Sequence, residues 1–340
     1  MTTLLLTHPT CLDHHPGAGH PERAERLGTI LSVLRGEPVA VTAWEDARPV
    51  DDAALRRVHS AALVEQVLSA RGRHDALDPD TATSPRSVDA ALLAAGAAVQ
   101  AVDAVLDGRA ENAFALVRPP GHHATPTRAM GFCFFNNLAI GAAHAVSRGI
   151  ARVLVVDWDV HHGNGTQDAF YARRDVLFMS THQYPFYPGS GDVTETGAGD
   201  GAGFTVNAPL PAGCDDADYA AVFAEVLLPI AEAFRPELVM VSAGFDAHRD
   251  DPLGGMELTT EGFTALCGAV REVARRHAAG KMVLCLEGGY DLDALAQSVR
   301  GCVSVLAGGG APPLRGRAGR SAVTLRRMKE ALGAPWKGAL

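Results

Sequence analysis

The sequence predicts a single α/β domain, a parallel sheet with helices on both faces. Three observations carry that expectation. Short, wholly apolar runs recur along the 340-residue chain, and segments with helical spacing lie between them. Gly- and Pro-rich stretches follow strands instead of dividing the chain into compositionally different halves. The first strand is expected at Ala113–Val117, between an Ala-rich helix over Val88–Leu106 and a helix over Asn137–Ser147. Strands at Val153–Val156 and Val176–Met179 follow, each apolar throughout, as a strand covered on both faces must be. Helix Tyr219–Ala233, strand Leu238–Val241, helix Thr260–Ala278, strand Met282–Leu286 and helix Leu292–Val305 complete the alternation. Arg118–Gly131, Pro185–Gly203 and Asp250–Gly255 read as loops. The domain is placed at 1–310, followed by a basic helical tail at 311–340 packed on it or extending it. The tail carries Arg315, Arg317, Arg320, Arg326, Arg327, Lys329 and Lys337 against the single acid Glu330, and reads as a solvated helix before it reads as a partner-binding face.

Composition narrows the functional classes. With 47% hydrophobic and 20% charged residues and a mean hydropathy of +0.05, disorder is excluded. No apolar run approaches the roughly 20 residues of a spanning helix, and Leu4–Leu6 is far shorter than a signal-peptide core, so a cytoplasmic protein without a membrane partner is expected. A net charge of −9 argues against nucleic acid and favours a neutral or cationic small partner. The six cysteines are scattered without a CxxC pair, which suggests buried thiols instead of disulfides or a thiolate zinc site. Histidine is the unusual residue, with 14 copies, several in adjacent pairs.

In open α/β sheets ligands gather beyond the carboxyl ends of the strands. Four such ends here are rich in chemistry: Arg118-Pro119-Pro120-Gly121-His122-His123, Asp157-Trp158-Asp159-Val160-His161-His162-Gly163-Asn164, Ser242-Ala243-Gly244-Phe245-Asp246 and Glu287-Gly288-Gly289-Tyr290. Asp159 and His161, two apart in extended backbone, project to one side and can reach one ion, with Asp246 as a third ligand. Two oxygens and a nitrogen with a vacant position suit catalytic Zn²⁺, and the same ligands suit Fe²⁺ or Co²⁺. Alternatively, Asp157 and Asp159 cap the next helix and His161 is a satisfied core residue. His122 and His123, aimed by a Pro-Pro-Gly turn, can move a proton from water to a leaving amine. Tyr290, on an open Gly-Gly turn, can donate to a developing oxyanion, or simply pack over a helix end.

Taken together, RPPGHHA (Arg118–Ala124), GFCFFNN (Gly131–Asn137), DWDVHHGNGTQ (Asp157–Gln167), SAGFDAHRDDPLGG (Ser242–Gly255) and LEGGY (Leu286–Tyr290) resemble the histone deacetylase family, in particular class II and bacterial histone deacetylase-like amidohydrolases. The likeness runs from His20 to about Val305. It implies an arginase/deacetylase-like fold over the catalytic domain and zinc held by Asp159, His161 and Asp246. It implies His123 as the main general base and acid, and His122 tuning charge beside it. Asp157 would hold His122 and Asn164 would hold His123. Tyr290 would polarise the scissile carbonyl. Phe132 and Tyr187 would wall an acyl-lysine channel, also lined at Leu253 and Gly288. Gly131 would accept from substrate through its carbonyl, and Asp80 would hold amide groups at the mouth. A structural potassium would involve Asp157, Asp159, His161, Ser180 and Thr181. Tyr187 departs from the Phe of many relatives.

The implied reaction is hydrolysis of an acyl amide, with acetyl-lysine in peptides or acetylated polyamines as substrates. Leu253 stands where polyamine-selective relatives place a glutamate, which tilts the expectation towards acetyl-lysine. A binuclear ureohydrolase is disfavoured because Gly163 and Gly244 occupy the places of its extra aspartates. A non-catalytic acyl-amide binding protein is the answer from another class, and a homo-oligomer stays open.

Overall fold

The computed structural model describes residues 2–332 and 336–340; positions 333–335 of the tail lie outside the described residues. Ten strands occur in it: β1 (Thr3–Thr7), β2 (Thr42–Asp46), β3 (Ala76–Asp78), β4 (Thr81–Ala82), β5 (Asn112–Ala115), β6 (Val153–Asp157), β7 (Val176–Gln183), β8 (Thr205–Leu210), β9 (Leu238–Ala243) and β10 (Met282–Leu286). Eight form one parallel sheet in the order β2-β1-β5-β10-β9-β6-β7-β8, and β3 and β4 make a small antiparallel ribbon. Helices Ser87–Leu106 and Asn137–Ser147 pack on each other and on the sheet; Ala24–Gly36, Thr260–His277 and Leu292–Leu306 form a second group across it. The fold is the expected single α/β domain.

The central strands β5, β10, β9 and β6 are buried at every residue, which is why they stand out as continuous apolar runs. The edges do not. β2 is half exposed, and β8 contains Asn207 and Pro209, a residue tolerated because an edge strand has one unpaired side. β1, β2 and β8 were not anticipated, and the expected strand Ala113–Val117 closes two residues earlier, at Ala115.

Two further expectations are corrected. Ser87–Leu106 is one helix of 20 residues whose length and composition would suffice to cross a membrane, although no comparable run was read from the sequence. It is mostly buried against the sheet and Asn137–Ser147. The helix expected over Tyr219–Ala233 starts earlier, at Asp216, where the Asp215 carboxylate accepts from the backbone of Ala217 and Asp218. It widens into a π-helical turn at Phe223–Leu227 before continuing through Leu228–Phe234.

In the tail, helix Ala322–Ala331 lies along β8, where the Thr324 hydroxyl donates to the carbonyl of Pro209 at 2.8 Å. Leu325, Met328 and Trp336 are buried, so this segment shields a sheet edge that would otherwise be open. Arg327 pairs with Asp192 and Lys329 with Glu225.

Candidate active site

The four chemistry-bearing segments leave the carboxyl ends of β5, β10, β9 and β6, which are consecutive in the sheet. Adjacency in the sheet thus gathers residues more than a hundred positions apart. Asp157 closes β6, and the chain then turns so that Asp159 and His161 face the loop after β9. His161 Nδ1 lies 3.2 Å from Asp159 Oδ1 and 3.2 Å from Asp246 Oδ2, and ligand atoms of all three residues fall within 4.8 Å of one another. The carboxylates are held by backbone: Val160 N–H donates to Asp246 Oδ1 at 2.8 Å, and Gly288 N–H donates to Asp159 Oδ2 at 2.8 Å.

That last approach requires glycine. A Cβ at Gly288 would stand 2.1 Å from Asp246 Oδ2, and one at Gly244 would stand 2.0 Å from Asp159 Oδ2. A side-chain ligand at 244 is therefore incompatible with Asp159 where it stands, which is the physical obstacle to a second metal of the binuclear kind.

Protons are the counter-charge that this donor set otherwise needs. Burial alone would lower His161, but Asp159 and Asp246 overcome it and raise the imidazole to about 10. Burial, with Asp159 beside it, pushes Asp246 up to about 7. Two buried carboxylates and an imidazole gathered within 4.8 Å are a donor set that a divalent cation fits.

His122 Nδ1 sits 3.0 Å from Asp157 Oδ2, and His123 Nδ1 sits 2.8 Å from Asn164 Oδ1, with the two rings 4.0 Å apart. The pair is split in charge. Burial disfavours the charged form of both, but Asp159 and Asp157 hold His122 well above the usual imidazole range. At His123 burial, and then the charge of His122, outweigh the pull of Asp159 and keep the ring well below that range. The two imidazoles are thus biased towards opposite protonation states, as an acid–base pair requires.

His122, His123, His161 and Tyr290 line one cavity of about 130 Å³ together with Asp80, Gly131, Phe132, Tyr187, Leu253 and Gly288. Every residue named from the sequence as a channel or mouth position reaches it, and Pro120 joins them. Asp80 sits in the turn between β3 and β4, and its Oδ1 accepts from the Gly131 backbone at 3.0 Å. Phe132, at φ +67°, is swung into the wall, 6.3 Å from the Tyr290 ring. Tyr187 faces His123 at 5.1 Å between ring centres; burial and then Asp80 push its hydroxyl above the usual phenol range. Gly131 O already accepts from Cys133 Sγ.

Ser180 and Thr181 lie outside the cavity, on β7, where Ser180 pairs with Asp157 in register. Ser180 Oγ is 2.9 Å from His182 Nδ1, and Thr181 Oγ1 donates to the carbonyl of Asp157.

Several residues that shape the site were not singled out from sequence. Phe186 stacks on His161 at 5.3 Å. Glu287 Oε2 accepts the N–H groups of Gly121 at 2.6 Å and His122 at 3.1 Å, fixing the turn that aims the histidine pair. Arg26 donates to the carbonyls of Gly289 and Glu287 and lies 4.8 Å over the Tyr290 ring. Arg26 is in turn paired with Glu22, which Arg118 grips through two nitrogens.

Burial alone would raise Glu22, but Arg118 and His14 hold it well below the usual carboxylate range. A carboxylate so depressed stabilises the fold above its ordinary range and loses that contribution as pH falls through the folded value. Replacing Glu22 by Gln leaves two buried guanidinium groups under-compensated and is expected to cost about 3–5 kcal/mol in urea unfolding at pH 7. A variant within 1 kcal/mol of the parent, about the worth of an exposed pair, would show that these charges are compensated elsewhere.

Comparison with known proteins gives one consistent result. The histone deacetylase domain family matches residues 20–306. The chain is 46% identical over 281 residues to a histone deacetylase-like amidohydrolase of Pseudomonas aeruginosa, covering 80% of this chain and 73% of that one. It is 42% identical over 334 residues to the human polyamine deacetylase HDAC10, covering 93% of this chain and 48% of that longer protein. The crystal structure of the HDA15 HD domain superposes with a TM-score of 0.93 at 36% identity, covering 99% of this chain and 96% of that one.

Proposed function

The chain belongs to the histone deacetylase family, and we propose that it is a zinc-dependent amidohydrolase that removes acetyl groups from acetyl-lysine side chains or similar acylated amines. The observation that carries the proposal is the pair His122–His123, each ring held by its own partner, lining one narrow cavity with His161 of the Asp159–His161–Asp246 donor set.

Asp159, His161 and Asp246 are the residues that would hold zinc. Bound there, the ion supplies Lewis-acid polarisation of the acyl carbonyl and lowers the pKa of water at the site. His123, neutral and oriented through Nδ1 by Asn164, has its other ring nitrogen free to take the proton of the attacking water and return it to the departing amine. His122, held by Asp157, keeps a positive charge beside the developing negative one. The Tyr290 phenol, kept protonated by burial, donates to the oxygen that was the carbonyl. Phe132 and Tyr187 flank the acyl stem and exclude water, and Asp80 and the Gly131 carbonyl hold amide groups at the rim. Potassium is the second ion of this reading. Asp157, Asp159, His161, Ser180 and Thr181 would supply it with carbonyl, carboxylate and hydroxyl oxygens beneath the site.

For the substrate, the apolar Leu253 in the cavity wall favours an acetyl-lysine stem over a polycation. The second reading, an acetylpolyamine, draws on the human relative named a polyamine deacetylase and on the Asp80 carboxylate at the cavity.

Acetate release by zinc-loaded protein from an acetyl-lysine peptide and from N-acetylputrescine, each with and without chelator, tests both. Chelator-sensitive turnover of the peptide above that of putrescine is expected, and Leu253→Glu should shift the ratio towards putrescine by about tenfold, the scale of one added charge contact. Parent protein that prefers putrescine overturns the substrate assignment. No acetate from either compound overturns the activity.

A further inference from the structure

We propose that Asp251 is a positioning residue for Tyr290, holding the phenol-bearing turn and the channel wall at Leu253 in register through one buried carboxylate. The proposal rests on the reading of Tyr290 as the donor to the scissile carbonyl.

Asp251 lies in the loop Asp250–Gly255 and is 6% exposed. One of its oxygens accepts from the backbone of Tyr290 at 2.6 Å and from that of Asp291 at 3.3 Å; the other accepts from Leu253 at 2.9 Å. A single side chain therefore ties a residue of the cavity wall to the residue that carries the phenol.

The turn needs such a tie. Tyr290 follows Gly288-Gly289, with Gly289 at φ +119°, a backbone that imposes little conformation of its own. No hydrogen bond from a described residue reaches the phenol oxygen, so the hydroxyl is placed by its backbone and by packing. The carbonyls of the turn are gripped by Arg26, at Gly289 and Glu287, whereas its N–H groups at Tyr290 and Asp291 are gripped by Asp251. Asp291 then caps helix Leu292–Leu306 through Ala294 N–H, so the turn is fixed just before it becomes helix. Displacement of a hydrogen-bond donor by 1 Å is enough to forfeit most of its effect on a developing oxyanion.

Asparagine discriminates between positioning and generic support because it preserves shape but has one acceptor oxygen. Its NH₂ must then face either Leu253 N–H or the Tyr290 and Asp291 N–H groups, and one set loses its partner. In zinc-loaded protein, Asp251→Asn is expected to lower kcat by about tenfold while changing KM for the acetylated substrate less than about threefold. In a Tyr290→Phe background the same substitution should lower kcat by less than about twofold, because a residue that acts through the phenol has nothing left to position.

An equal loss in both backgrounds, or wild-type kcat in Asp251→Asn, overturns the role of Asp251 and leaves Tyr290 untouched. Wild-type kcat in Tyr290→Phe alone overturns the reading of Tyr290 itself. If Asp251→Asn does not fold, residue-resolved amide exchange on the unmodified enzyme decides. The Leu253, Tyr290 and Asp291 amides are expected to exchange at least about 10²-fold more slowly than that of Gly254 in the same loop, which has no partner among the described residues, and equal rates overturn the clamp.

Discussion

His123→Ala is expected to lower kcat for acetyl-amide hydrolysis by at least about 10²-fold with the fold intact. The size of the effect follows from how completely the site depends on one neutral imidazole. His122 is 4.0 Å away between ring centres, but Asp157 and Asp159 hold its proton, so it cannot serve as a base in place of its neighbour. His161 is engaged with both carboxylates. Steady-state acetate release, with near-UV circular dichroism to confirm tertiary packing, checks the prediction. Turnover close to the parent would remove His123 from the mechanism. Asn164→Ala would then be the informative companion, since its only assigned task is to orient that ring.

A larger loss is expected from Asp246→Asn, at least about 10³-fold in kcat, because the removed charge is one of the two that would bind the ion and the ion supplies several kcal/mol of carbonyl polarisation. Asparagine retains the acceptor for Val160 N–H and the side-chain volume, so the loop after β9 should keep its course. The distinguishing readout is metal content. After dialysis the variant should hold far less than one zinc per chain, whereas the parent should hold about one, given the single three-ligand set found among the described residues. Parent-like zinc content together with parent-like turnover would mean that Asp246 is not a ligand.

How much of this was legible beforehand follows from where each residue's partners lie. Val153–Val156, Leu238–Val241 and Met282–Leu286 read clearly as strands because both faces of β6, β9 and β10 are buried, and continuous burial leaves a continuous apolar run. β2 has a water-facing side and β8 pairs with a strand on one side only, so Trp44, Asn207 and Pro209 break the pattern that would have betrayed them. The segments that carry chemistry were legible because each is local: a strand end and the few residues after it.

The supporting charges were not. Glu22 meets Arg118 96 positions away, and Arg26 meets the turn before Tyr290 more than 260 positions away. A charged residue in an otherwise solvated-looking HPERAERL stretch gives no sign that it will be buried. Asp251 was quoted within a motif but had no role, because its three partners are backbone N–H groups that no side-chain pattern encodes.

The close approach at Gly244 and Gly288 has a genetic consequence. Every amino-acid replacement reachable from a glycine codon introduces a Cβ, and at these two positions that atom lands on a carboxylate of the donor set, 2.0 Å from Asp159 or 2.1 Å from Asp246. No missense change there is mild. Exchange of Leu253 or Tyr187 alters a side chain already present in the cavity wall, whereas a change at 244 or 288 requires the carboxylate beside it to move as well. Single substitutions that retune the acyl channel are therefore expected at its rim, where Leu253 and Tyr187 stand, before they are tolerated at its floor.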